Sequence, residues 1–232
     1  MALPTDSSDT FFREVDENLR RDRARDFAKK HGTLIIVAVV LFLVAIGGWI
    51  YWQGRQKEQA AQQSEQLSEI YGDIGAGKTA NVPQRLDALS DERNDVIRAS
   101  ALFARASVAI QQGDRTAAIS KFREAQNDDG LPQPYRDLAL IRVTALEFDS
   151  LKPEQVIARL QPLATAGNPW FGSAGELTAM ALIKQGKRLE AGRLFAAIAA
   201  DSQAPETVRS RAVQIAGTLG VDASASMPAL AQ

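Results

Sequence analysis

The 232-residue chain contains no cysteine and a single histidine, His31. The first absence excludes disulfides, thiolate nucleophiles and Cys-ligated metals. The second leaves the common Cys-His and Ser-His catalytic arrangements, and histidine-rich zinc sites, without members in the C-terminal bulk of the chain. An excess of one charge is also missing. Lys and Arg number 27 against 28 Asp and Glu, for a net charge of −1, so nothing attracts nucleic acid. No Asp-rich loop has calcium spacing. The carboxylate pairs Asp91-Glu92 and Asp128-Asp129 fall between predicted helices, where they read as caps and solubilising charges. Nothing here calls for a cofactor, a metal or a small-molecule substrate.

What the chain does have is one long run without charge, TLIIVAVVLFLVAIGGWIYW at residues 33–52. A helix of that length spans roughly 30 Å, the thickness of a bilayer's hydrocarbon core. Its twelve Leu, Ile, Val and Phe residues favour insertion by at most about 4–7 kcal/mol, with no charge to offset it. Trp49, Tyr51 and Trp52 close the run, as aromatics do at a headgroup boundary. The fifteen residues before it carry six Lys or Arg and the fifteen after it two. That bias places residues 1–32 in the cytoplasm and the rest of the chain across the membrane. Ala45-Ile46-Gly47 has the form of a signal-peptide cleavage site, but the long leader, long apolar run and terminal aromatics favour an uncleaved anchor. No G-x-x-x-G signals self-association of the span. Upstream, Phe11, Val15 and Leu19 form a short helical stripe, with Phe12 beside them, that suits lipid headgroups or a cytoplasmic partner.

Beyond the span, a polar Gln-rich segment at 53–74 predicts a continuing helix with Leu67 and Ile74 on one side. It runs into Gly72-Asp73-Ile74-Gly75-Ala76-Gly77-Lys78-Thr79, which fits the phosphate-binding pattern G-x-x-x-x-G-K-[ST] at every position. A working P-loop needs a buried strand before it and a helix starting at the Lys-Thr. Here a polar helix precedes the motif and Pro83 follows closely. A nucleotide hydrolase is therefore the weakest reading.

Internal repetition accounts for these glycines better. In residues 97–132 a helix carrying Ala101, Leu102, Ala106, Ala109 and Ile110 ends at Gly113-Asp114. A second helix follows with Ala118, Phe122 and Ala125, then Pro132. Seventy-three residues on, Gly186, Ala191, Phe195 and Pro205 repeat Gly113, Ala118, Phe122 and Pro132. Half that spacing predicts a pair between them, at 135–148 and 153–163, whose turn lacks glycine. Counting 36 residues back from Gly113 reaches Gly77, so the P-loop look-alike reads as the first inter-helix turn. The expected fold is all-α. One membrane helix leads into a right-handed α-solenoid of about four helix pairs over residues 53–220. A capping helix at 205–219 and a disordered tail at 221–232 complete it. Asn168 and Pro169 are read as starting the seventh helix, with Trp170 and Phe171 in its first turn.

The Gly…Ala…Phe…Ala…Pro spacing resembles a tetratricopeptide repeat. The layout as a whole is similar to the YfgM-like family of ancillary Sec translocon subunits. It combines a short N-terminus, a span ending Gly48-Trp49-Ile50-Tyr51-Trp52, and a repeat domain of this size. The resemblance implies a single-pass protein of the bacterial inner membrane whose TPR-like domain lies in the periplasm. It implies a non-enzymatic role, with translocon subunits and a periplasmic chaperone as protein partners and membrane lipid around the span. Envelope assembly or cell-division coordination is the alternative within the same class. Solenoids bind through a concave face built from first helices, which makes Arg98, Arg105, Arg142 and Glu147 candidate contacts. Trp170 and Phe171 could face the same groove or staple the third and fourth units together.

Overall fold

The computed structural model describes the backbone of residues 7–226 and the side chains of residues 29–225, Thr33 and Ile35 excepted. The first helix, α1, runs Ser7–Gly75. It is followed by α2 (Val82–Ser90), α3 (Asp95–Gln111), α4 (Arg115–Asn127), α5 (Gln133–Glu147) and α6 (Pro153–Leu160). Then come α7 (Phe171–Lys184), α8 (Arg188–Ala200), α9 (Glu206–Thr218) and a 3-10 turn at Ser224–Ser226. No strand occurs among the described residues.

The chain divides into two units, Met1–Ala61 and Gln62–Gln232. In the first, the apolar part of α1 finds no protein to pack on. Leu34, Phe42 and Ile50 are each more than half exposed. Among the described residues, this is the one helix long and apolar enough to cross a membrane. Water does not tolerate such a surface at this length, so a bilayer or another apolar helix has to cover it. The stripe of Phe11, Val15 and Leu19 lies outside the described side chains.

The second unit is a row of helix pairs: the end of α1 with α2, α3 with α4, α5 with α6, and α7 with α8, closed by α9. Three of the pairs turn in the same way. Gly77, Gly113 and Gly186 adopt φ of 74°, 77° and 78°. Lys78 N–H donates to the Asp73 carbonyl at 2.8 Å, Asp114 N–H to Ala109 at 2.9 Å, and Lys187 N–H to Leu182 at 2.9 Å. Each bond satisfies a carbonyl the helix would otherwise leave orphaned, and only glycine enters this backbone region without strain. The Asp114 carboxylate then accepts from Ala117 N–H and caps α4. The third pair turns without glycine, through Ser150 and Leu151 N–H groups both donating to the Glu147 carbonyl.

The packing residues are small ones and phenylalanines. Ala101, Ala106 and Ala109 on α3 and Ala118 and Ala125 on α4 are buried, letting the two backbones approach. Phe122 fills the remaining space among Ala106, Val143 of α5 and Phe103, the two rings lying edge-on at 5.3 Å. Phe195 has the same place in the last pair, 1% exposed beside Ile198 and Ala212.

Two expectations need correcting. Helix α7 begins at Phe171, not at Asn168-Pro169. The Asn168 side chain accepts from Trp170 N–H at 2.8 Å and closes a tight turn just before the helix. The segment from Val221 is not a loose tail over its described part. Ala223 is 7% exposed, and Val221 packs on the cluster of α7, α8 and α9. It lies so close to Gly192 that a Cβ there would meet it at 2.7 Å. The unpaired end of the last helix pair supplies the driving force, because α9 alone does not cover it. Residues 227–232 lie outside the described part.

Phe122→Ala and Phe195→Ala should each lower the unfolding free energy of the full-length protein by about 3–5 kcal/mol. Denaturant titration followed by circular dichroism in detergent measures this. A cost below 1 kcal/mol would contradict the packing role assigned to these rings.

Candidate functional site

The nucleotide-site pattern at 72–79 does not have the geometry its chemistry requires. Gly72 and Gly75 are the last turn of α1 rather than a loop. The amides of Ala76, Gly77 and Lys78, which would cradle a phosphate, are spent on the carbonyls of Gly72, Ile74 and Asp73. The motif therefore caps the C-terminus of a helix, the end whose dipole repels anions. Among the described residues no group of carboxylates or histidines could hold a metal ion.

The four charged candidates of the first helices fare differently from one another. Arg98 is saturated. Its Nε meets Asp128 at 2.7 Å, one terminal nitrogen meets Asp95 at 3.2 Å, and the other donates to the Glu92 carbonyl at 3.1 Å. This explains Gly130, where a Cβ would sit 2.7 Å from the Arg98 guanidinium. Arg105 lies 3.5 Å from Asp87 of α2, which also takes Lys121 of α4 at 3.1 Å. Glu147, only 11% exposed, joins Arg123 of α4 to Arg159 of α6, the latter at 2.6 Å. These three residues tie neighbouring helices together. Arg142 alone is exposed and makes no ion pair among the described residues.

Of the two aromatics, Phe171 is 3% exposed in the cluster of α7, α8 and α9. Trp170 packs, half-buried, against the cluster of α5, α6 and α7. Adjacent in sequence, they face opposite cores and pin the third pair to the fourth. At the far end of the span, Trp49, Tyr51 and Trp52 are 65%, 65% and 56% exposed. Trp49 and Trp52 lie 6.1 Å apart, and the Tyr51 hydroxyl accepts from Arg55 Nε at 3.2 Å.

Packing leaves one side of each first helix uncovered, at helical spacing. On α3 it runs Val96, Ser107, Ile110; on α5, Arg142 and Ala145; on α7, Ser173 and Met180. Val96, Ile110 and Met180 are 52%, 46% and 44% exposed. Sequence reasoning looked for charge on this side and missed its apolar part. On α3 and α7 the available signal was a large apolar residue one step off the alanine stripe, Ile110 beside Ala109 and Met180 beside Ala179.

Lys184 couples the third turn to α7. Its ammonium sits 2.9 Å from Asp149 and 4.3 Å from the centre of the Phe148 ring. The hydrogen bond and charge of Lys184 hold the Asp149 carboxyl below its usual range. A depressed carboxyl contributes stability that is present above its unfolded-state pKa, about 3.9, and is lost as pH falls through the lower folded value. Lys184→Met should therefore return Asp149 toward the ordinary value, read by NMR titration of the carboxyl carbon. An unchanged midpoint would mean that the pair does not persist in solution. The turn glycines give a second test. Gly72→Ala, with open space around it, should stabilise the fold by about 0.5–1 kcal/mol. Gly77→Ala should destabilise it by about 1–2 kcal/mol. A phosphate loop would reject both.

Comparison with known proteins fits this geometry. The family described as a tetratricopeptide repeat-like domain matches residues 25–216. The ancillary SecYEG translocon subunit of Haemophilus influenzae is 26% identical over 186 residues, covering 78% of this chain and 87% of that protein. Its namesake in Escherichia coli is 24% identical over 175 residues, 75% of this chain and 82% of that one. No solved structure matches the chain. The match takes in the apolar helix and every helix pair, and on that extent the protein belongs to the tetratricopeptide repeat-like family.

Proposed function

We propose that this protein is a non-catalytic, membrane-anchored interaction module, an ancillary subunit of the Sec translocon. In this reading its N-terminus is cytoplasmic and the unit from Gln62 onward lies in the periplasm. There it connects export to a chaperone that meets newly translocated chains. The observation that carries the reading is the likeness, over three quarters of the chain, to two proteins that bear the translocon-subunit name. The Lys and Arg asymmetry around the span supports the orientation.

The physical logic is local concentration. A partner that shares the membrane with its translocon is held near it, and weak contacts then suffice. The uncovered side of α3, α5 and α7 is suited to such contacts. It offers separated apolar residues for short extended segments and an exposed cation in Arg142.

Because the chain has no cysteine, single introduced cysteines report topology cleanly. Ser107→Cys should react with a membrane-impermeant maleimide while the inner membrane is intact, and Ser8→Cys only after it is broken. The reverse pattern would invert the orientation. A photo-crosslinking residue at Met180 or Arg142 should capture a translocon subunit or a periplasmic chaperone. The same residue at Ser120, on the exposed side of α4, should not. Capture of outer-membrane assembly or division factors without the translocon would make the translocon assignment wrong.

A further inference from the structure

We infer that the C-terminal end of the membrane span carries a binding site for one phospholipid, built on Arg55. The site rests on the reading that α1 crosses a bilayer and leaves it near Trp49 to Trp52. Arg55 points back along the helix. Its Nε donates to the Tyr51 hydroxyl at 3.2 Å, and its guanidinium carbon stands 5.6 Å from the centre of the Tyr51 ring. That contact orients the guanidinium and uses one of its five N–H groups. The two terminal nitrogens make no other contact among the described residues, so the planar fork that suits a phosphate in bidentate fashion remains open. An unrestrained arginine at the same place would lose more freedom on gripping a headgroup.

The residues below the guanidinium suit the rest of a lipid. Helical side chains lean toward the N-terminus, so Tyr51 and Trp52 lie over the turn of Gly47 and Gly48. No atom comes within 4 Å of where a Cβ would stand at either glycine. The result is a shallow notch in bare backbone, below the Arg55–Tyr51 pair. An acyl chain fits along the notch while the phosphodiester meets Arg55. Trp52, more than half exposed, stands at its edge with an indole N–H donor for the glycerol and ester oxygens. A hydrocarbon occupant alone would give Arg55 nothing to bind, which favours a lipid over a partner helix.

The test uses the full-length protein in nanodiscs of phosphatidylethanolamine with phosphatidylglycerol, followed by native mass spectrometry of the lipid it retains. Wild type should carry one tightly held phospholipid. Arg55→Gln should weaken its retention about tenfold, equivalent to 1.4 kcal/mol. Arg55→Lys, which keeps the charge without the fork, should fall between, and Tyr51→Phe should lose severalfold by freeing the guanidinium. In parallel, lipids brominated near the headgroup should quench Trp49 and Trp52. Equal retention by wild type and Arg55→Gln, with quenching intact, would overturn the lipid site while leaving the membrane placement standing. Absence of shallow quenching would overturn that placement and the site with it. A protein helix crosslinked into the Gly47-Gly48 notch in place of lipid would also overturn the site.

Discussion

A helix pair of this size cannot bury its own apolar side, and the architecture of the second unit follows from that constraint. Each cluster of buried residues borrows from the next pair. Leu67 and Ile70 of α1 meet Leu86 of α2 and Ile97 of α3. Leu102 of α3 meets Ala125 of α4 and Ala139 of α5. Phe148 of α5 meets Leu160 of α6 and Ala174 of α7. The row has to stop somewhere, and its last cluster is closed by α9 together with Val221 and Ala223. Alanines set how near the helices come, and two phenylalanines fill what the alanines leave open. The uncovered side of the first helices is the remainder of the same packing problem.

Electrostatics reinforces the stacking more than it prepares a site. Asp87, Glu147 and Glu176 each receive arginine or lysine from another helix, and the Glu176 pair with Arg211 holds α9 to α7 at 2.7 Å. Half-exposed pairs contribute little singly. Spread along the row, they oppose slippage of one pair past the next.

The phosphate-loop resemblance shows why a short motif carries no meaning apart from its place in the chain. Glycines at that spacing serve two opposite ends of a helix. Before a helix they free amide groups for an anion. After one they let the last amides return to the last carbonyls. The preceding polar helix, with Leu67 and Ile70 on one side, decides which applies.

Much of this was legible in sequence, and for definite reasons. The span needs only twenty uncharged residues, a local property. The repeat is written in residues few others can replace: glycine where φ is positive, alanine where backbones touch, phenylalanine where a gap must be filled. The helix-pair count and the turn at Gly77 came from that pattern alone. The partners of the charged side chains did not, because Glu147 meets Arg123 at a separation of 24 residues and Arg159 at 12. No local pattern couples such positions. Whether Phe171 faces a groove or a core, and whether Val221 is loose or packed, likewise depended on the exposed end of the last pair and what was near enough to cover it. Local chemistry determined where helices begin, turn and cross a membrane. Only tertiary structure decided which side chains the stacking consumed and which, like Arg142 and Met180, it left free, because burial is set by neighbours that the sequence does not place side by side.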